Sequence, residues 1–334
     1  MKRWIGALAA GVCTVSAAAQ PGFADRPEVQ AFIAEMSSRH GFVSKELELL
    51  FERARFDPDV IRLITPKPEG ERSWQAYRAN FLNERRITAG ARFWSRNAKT
   101  LSRAQSQFGV PADVIVAIIG IETEFGRNTG SFRVVDALST LAFDYPRRAN
   151  FFRSELEEFL LFAREDGRNI LGFTGSYAGA MGIPQFMPGS YRRFAVDYDA
   201  DGSRDLLGSS ADAIGSVANF LREHGWERGA PVAFPASVKG DAYRAFIDGR
   251  IKPHHRVDAL RKAGVTFSRK ATPDTQCVLV ELESPDTDPE HWVGVHNFYV
   301  LTRYNRSLFY ALSVSDLADT LRAARRKAAR GPRG

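Results

Sequence analysis

Cysteine is scarce in this chain: among 334 residues only Cys13 and Cys277 occur. Cys13 falls in an N-terminal run that reads as removable. The rest of the chain then cannot close an intrachain disulfide, so its fold must rest on its core. Cys277 reads as a small buried hydrophobe in a strand. Beyond the first twenty residues no stretch is apolar enough to span a bilayer. There is no Gly-Xaa-Gly-Xaa-Xaa-Gly or Walker sequence, and so no sign of a nucleotide cofactor. His254, His255, His291 and His296 lack zinc-site spacing and read as exposed or core histidines.

Apolar residues make up 44% and charged residues 25% of the chain, enough to bury a core in two or three modest domains. Lys2 and Arg3 precede an apolar run from Trp4 to Ala18, and Ala17-Ala18-Ala19 stands before Gln20. Residues 1–19 therefore read as a secretory signal, with a buried N-terminal helix as the alternative. The expected compartment is the periplasm. Ala10-Gly11-Val12-Cys13 also resembles a lipid-attachment site, but Val12 suits it poorly. One acyl chain would anchor only marginally.

The formal charge is +7, two lower once Lys2 and Arg3 leave, and the C-terminus is basic from Arg322 to Arg333. This surplus favours a polyanionic partner, either nucleic acid or the cell-wall polymer with its peptide carboxylates. Secretion and the lack of interleaved aromatics argue against nucleic acid. The tail by itself also reads as a solvated helix end.

The pattern is mainly helical. Val29, Phe32, Ile33 and Met36 share a helix face that ends at His40-Gly41, and Ser44 is expected to cap a second helix carrying Leu47, Leu50 and Phe51. Val60, Ile61 and Ile64 suggest a short third helix. Helices dominate from Trp74 to Arg127. The run 111–119 is rich in β-branched residues, but its length, with Pro111 and Asp113 at its start, favours a buried helix. Further helices are expected at 133–143, 146–164, 209–224 and 306–327, and a small-residue loop at 172–184. Residues 230–286 are proline-rich with short β runs such as Thr275 to Leu282. The organisation is thus an N-terminal helical region at 20–75, a helical core at 76–229, a small strand-containing insertion at 230–286 and a return to the core at 287–334.

Two segments carry chemistry. Glu122 lies three, four and seven residues after Ile119, Ile118 and Ile115, so it shares a helix face with aliphatics. Lost hydration there raises a carboxyl pKa, as a general acid near neutral pH requires. By pattern alone Glu122 can equally be a solvated helix-end acid paired with Arg127. Glu124, the rival, has a less apolar neighbourhood and reads as a surface residue. The second segment, Gly175-Ser176-Tyr177-Ala178-Gly179-Ala180-Met181-Gly182-Ile183-Pro184-Gln185-Phe186-Met187-Pro188, lets backbone approach a partner closely. Ser176 and Gln185 offer hydrogen bonds, and Phe186 a flat face for a sugar. Close helix packing with two turns is the alternative.

Both segments resemble the lytic murein transglycosylase B family, as do Tyr145-Pro146-Arg147-Arg148-Ala149, Asp212 to Asn219 and Thr302-Arg303-Tyr304-Asn305. The likeness runs in register from about residue 25 to 325. It implies a lysozyme-like helical core and a lyase that cuts the bond between N-acetylmuramic acid and N-acetylglucosamine. It further implies that Glu122 protonates the bridging oxygen and then acts as base, while the muramyl C6 hydroxyl closes a 1,6-anhydro ring. The substrate's acetamido group replaces a second carboxylate. Ser176, Gln185, Tyr304, Asn305 and Tyr310 match cleft positions, and Tyr77 aligns less securely. Phe220 stands where the family pattern has tyrosine, which puts a hydroxyl contact there in doubt. Any of these aromatics can also be core packing.

Asp197-Tyr198-Asp199-Ala200-Asp201-Gly202-Ser203 places acids at positions 1, 3 and 5 and glycine at 6, like the start of a calcium loop. Position 12 is Gly208 rather than glutamate, and Asp212 is the candidate to close a Ca²⁺ or Na⁺ site with Asp197, Asp199, Asp201 and Ser203. Ser209 with Asp212 also reads as a capping box, and the acids as a solvated turn. No cofactor is expected for the chemistry. Glycan strands are the expected partner, with cell-wall synthesis proteins as further candidates, and the chain is expected to be monomeric. A hydrolytic muramidase and a non-catalytic wall-binding protein are the competing readings.

Overall fold

The computed structural model describes residues 22–66, 73–268, 271–285 and 287–329. The expected signal, Cys13 and the last basic residues lie outside them. Two compact units divide at Phe56/Asp57, earlier than the expected boundary at 75. The reason is local: the Asp57 N–H donates to Thr140 Oγ1 at 3.0 Å, which ties the third helix to the second unit.

In the first unit, α1 (Pro27–His40) and α2 (Ser44–Arg53) bury the expected faces. Phe32 and Phe51 meet edge to face at 6.1 Å. Gly41, at φ 68°, ends α1. Ser44 does not cap α2: Val43 holds that position, and the Ser44 hydroxyl pairs with that of Ser37 at 2.8 Å.

The second unit continues with α3 (Pro58–Ile64), α4 (Trp74–Ala79), α5 (Glu84–Arg96), α6 (Ala98–Phe108), α7 (Ala112–Thr123), α8 (Val134–Asp144), α9 (Ala149–Asp166), α10 (Pro188–Phe194) and α11 (Ser210–Glu223). A two-stranded ribbon pairs β1 (Phe132–Arg133) with β2 (Thr174–Gly175). Then come β3 (Ala233–Val238), β4 (His255–Arg256), α12 (Val257–Lys262), β5 (Val265–Phe267), β6 (Gln276–Leu282), β7 (Glu290–Gly294), α13 (His296–Tyr304) and α14 (Leu308–Ala329).

Helix α7 is the axis of this unit. Every residue from Ala112 to Gly120 is buried, and α5, α6, α11 and α14 all pack on it. A helix apolar on all sides is stable only inside a protein, and that packing outweighs the modest helix propensity of its valines and isoleucines. Its one buried charge, Asp113, is met by Arg322 from α14.

The strand-containing region forms a sheet in the order β4-β6-β7-β3-β5, antiparallel throughout. Strand β7 pairs on both sides, with β6 and β3. The β region therefore extends to Gly294, beyond the expected limit of 286, because its third strand in spatial order lies there. Cys277 is fully buried in β6, within a core that includes Phe234, Leu260, Leu279 and Val293.

The end of α7 is set by three successive residues at positive φ: Glu124 at 49°, Phe125 at 65° and Gly126 at 85°. Positive φ at non-glycine residues costs about 1–3 kcal/mol each. The turn is held because the Phe125 ring wedges between Gly120 and Gly90, with Phe93 at 5.4 Å. A methyl group on Gly120 would stand 2.7 Å from that ring. Gly120→Ala is therefore expected to lower stability: overpacking at ~1–3 kcal/mol outweighs the ~0.5–1 kcal/mol helix gain of alanine. A thermal melt equal to or above that of the parent chain would contradict this wedge.

Candidate active site

The same turn presents Glu122 on the last turn of α7. Ile115, Ile118 and Ile119 beneath it have no exposure, while Glu122 itself keeps part of its surface open. From across the site, the Tyr310 hydroxyl of α14 donates to Glu122 Oε1 at 2.7 Å. Burial pushes the Glu122 carboxyl up to about 7, against that hydrogen bond, which favours the charged form. Burial raises the phenols of Tyr304 and Tyr310 well above their usual range, and the nearby Glu122 charge adds to it. The Tyr77 phenol is pushed up to about 12 by the same two causes. Three tyrosines from α4, α13 and α14 thus surround one acid and remain neutral hydroxyls.

The small-residue segment closes the other side. Its backbone folds back tightly: a methyl group on Gly175 would meet the Ala180 carbonyl oxygen at 2.3 Å. The Ser176 hydroxyl accepts from the Ala180 N–H at 3.1 Å. Gln185, at φ 52°, donates from Nε2 to the carbonyls of Thr129 at 3.0 Å and Gly182 at 2.9 Å. Its amide nitrogen therefore braces the loop, a more structural part than the expected contact. The Tyr304 hydroxyl donates to the Pro184 carbonyl at 2.6 Å, which fixes α13 to this loop.

Phe186 does not offer a free face. It is 2% exposed and packs with Phe220 at 5.5 Å and Tyr304 at 5.8 Å. Phe220 is also buried, 4.9 Å from the Tyr304 ring and stacked on His224. Both rings support Tyr304 from behind, so core packing explains them. Asn305 is exposed just past α13.

Sequence reasoning missed two devices. Thr123 accepts from the Gly126 N–H at 2.9 Å and donates to the Ile183 carbonyl at 2.7 Å, stapling the acid-bearing turn to the loop. Glu124 turns away from the site to Arg85 at 2.8 Å and Arg86 at 3.0 Å. Partial burial raises its pKa, but the Arg86 hydrogen bond and the arginine charges hold it below the usual carboxylate range. It stays ionised and cannot serve as the acid. A hydroxyl beside a buried acid leaves no periodic trace, so only the adjacent Arg85-Arg86 pair could have hinted at this split.

In the acidic loop, oxygens of Asp197, Asp199 and Asp212 lie within 4.8 Å of one another. Asp212 has no exposure and accepts from the N–H groups of Tyr198 at 2.6 Å and Asp205 at 2.8 Å. It also takes part in the expected cap, receiving Ser209 at its N–H. Asp201 stays outside this carboxylate cluster and accepts from the Ser203 N–H at 2.8 Å on an exposed turn. Elsewhere Asp248 meets both of the adjacent His254 and His255. The Arg250 guanidinium, bonded to the same carboxylate oxygen, occupies the place of a cation there.

Residues 24–319 match the family described as the transglycosylase SLT domain. The chain belongs to this transglycosylase family. It is 38% identical over 312 residues to the membrane-bound lytic murein transglycosylase B of Escherichia coli, across 91% of this chain and 85% of that protein. The crystal structure of the soluble lytic transglycosylase SltB1 from Pseudomonas aeruginosa superposes with a TM-score of 0.85 at 44% identity, covering 90% of this chain and 100% of that one. The Escherichia coli lytic transglycosylase Slt35 in complex with calcium gives 0.81 at 39% identity, covering 91% and 96%. The same enzyme is also similar in its complex with bulgecin A. The protein is accordingly a lytic transglycosylase acting on peptidoglycan, with the lysozyme-like helical fold of these transglycosylases.

The hydrogen bond from Tyr310 has a measurable sign. It favours the ionised acid, so Tyr310→Phe is expected to raise the Glu122 pKa. The alkaline limb of the pH–rate profile should move upward by about one pH unit for a charged hydrogen bond of ~1.5 kcal/mol. A limb that stays put or moves down would refute the pairing.

Proposed function

We propose that Glu122 is the general acid, and then the base, of a cleavage that leaves 1,6-anhydromuramyl ends. One observation carries this reading: a partly open carboxyl whose burial sets its pKa at about 7. Such a group is half protonated at neutral pH and can both give and take a proton.

In the first step Glu122 passes its proton to the oxygen between N-acetylmuramic acid and N-acetylglucosamine. The bond from that oxygen to the muramyl C1 breaks, and the acetamido carbonyl oxygen bonds to C1. In the second step the Glu122 carboxylate removes the proton of the C6 hydroxyl. O6 then bonds to C1 and the acetamido bond is released. The arrangement suits a single acid, since Glu124 is committed to Arg85 and Arg86. Tyr310 orients the carboxyl, and Tyr77, Tyr304, Asn305 and Ser176 border the sugar. Phe186 and Phe220 keep Tyr304 in place.

Digestion of purified sacculi tests this. The parent chain is expected to release anhydro-ended fragments, one water lighter than those of a hydrolytic muramidase. Glu122→Gln should lower the rate by about 10²–10⁴-fold, the range of general acid–base catalysis. Reducing ends would favour the muramidase. Unchanged release by the variant would remove Glu122 from the mechanism.

We also assign Asp197, Asp199 and Asp212 to a structural Ca²⁺ site. Three hard oxygen donors converge, and among the described residues no lysine or arginine pairs with them. Holding three carboxylates this close, with Asp212 buried, is costly without a cation between them. Calcium, as in the Slt35 complex, would neutralise them and hold the loop between α10 and α11, with no part in the chemistry. Calcium in excess of about 100 times the Kd should stabilise the fold by ~2.7 kcal/mol. A higher melting temperature in calcium, abolished by Asp199→Asn, is the expected result; melts insensitive to calcium would remove the site. The wall substrate and the signal-like N-terminus support a periplasmic location. Among the described residues no single helix is long and apolar enough to cross a membrane.

A further inference from the structure

A cleft of about 840 Å³ opens between the loop Gly249–Pro253 and helix α13. Tyr299, Thr302 and Arg303 line it at helical spacing, and Arg306 follows just past the helix end. Tyr304, which borders Glu122, points about 140° away around the same helix. One helix therefore separates this cleft from the acid by roughly its own width, ~10 Å.

The cleft is cationic. Lys252, Arg303 and Arg306 are exposed, and among the described residues none has a carboxylate partner. Elsewhere arginines are commonly matched, as Arg192 is by Glu158 and Glu165. The loop that carries Lys252 is also pre-built. The Asp248 carboxylate accepts from the Arg250 backbone at 3.0 Å and from its guanidinium at 2.7 Å, and pairs with His254 Nε2 at 2.7 Å. His254 Nδ1 meets the Lys252 carbonyl at 2.9 Å. Arg250 is thereby neutralised, while three cations are left facing one space. Ile251, Pro253 and Tyr299 add apolar surface to its lining. Uncompensated like charges beside carbon surface suit an acidic peptide better than a bare inorganic anion.

We propose that this cleft is a subsite for the acidic peptide arm of peptidoglycan, with Lys252, Arg303 and Arg306 pairing its carboxylates. The inference rests on the reading of Glu122 and its groove as the sugar site. It gives this chain a preference for glycan that still carries peptide, recognised across α13 from the cleaved bond.

The test measures binding to the full chain carrying Glu122→Gln, so that no turnover intervenes. Three probes are used: a muramyl disaccharide bearing a tetrapeptide with free carboxylates, the same compound with those carboxylates amidated, and the peptide-free disaccharide. The free-acid probe is expected to bind about tenfold more tightly than the amidated one, a difference that shrinks with salt. Adding Lys252→Glu and Arg306→Glu should erase that difference and leave the peptide-free disaccharide unaffected. The neutral pair Lys252→Gln and Arg306→Gln should give an intermediate result, with circular dichroism unchanged. Equal binding of the free-acid and amidated probes, or a preference that survives charge reversal, would overturn the subsite. Sacculus digestion by the parent chain reports separately on Glu122. Normal cleavage without peptide preference therefore overturns the subsite alone, and absent cleavage overturns the catalytic reading.

Discussion

The buried carboxyl of Glu122, with the Tyr310 hydroxyl bonded to it, is the interaction on which the rest of the active site depends. A carboxylate surrounded by aliphatic side chains loses its hydration and becomes a weaker acid. One hydroxyl tempers that effect without abolishing it, and leaves a group whose proton is mobile at neutral pH. Most of the second unit serves this balance. Helix α7 is buried from Ala112 to Gly120, so that its last turn carries the acid over a floor of buried isoleucines. The Phe125 ring, wedged between Gly120 and Gly90, holds the left-handed turn at which the chain leaves the helix.

The two glutamates of this turn show how position within three residues decides chemistry. Glu122 faces aliphatics and tyrosines, while Glu124 faces two arginines. The first is driven toward its neutral form and the second is held ionised. The strain of the left-handed turn is the means by which two acids so close in sequence are sent to opposite environments.

Much of this was legible in the sequence. The spacing of Ile115, Ile118, Ile119 and Glu122 places this side chain on an apolar helix face, as the structure has it, but period alone leaves a solvated helix-end acid equally open. The helical order, the glycine- and alanine-rich loop and the β region were readable from composition. Contacts between distant segments were not. That Phe186 and Phe220 turn inward depends on Tyr304, over eighty residues later, and an aromatic side chain reads the same whether it faces a sugar or a core. The β region runs past its expected limit because β7, only five residues long, lies beyond the proline-rich stretch that reads as the insertion. Asp57, Thr123 and the Arg85-Arg86 pair act through partners that no local pattern reveals.

The staple from Thr123 to the Ile183 carbonyl, and the hydroxyl that Tyr310 brings from α14, have a consequence for how the enzyme comes into being. The acid's surroundings are gathered from α4, the end of α7, the loop before α10, and α13 and α14, whose Tyr310 lies 188 residues from Glu122 in the chain. Until α14 docks, the Tyr310 hydroxyl is missing from Glu122. A chain in which α14 has not docked lacks part of this site, so the acid's full surroundings exist only in the finished fold.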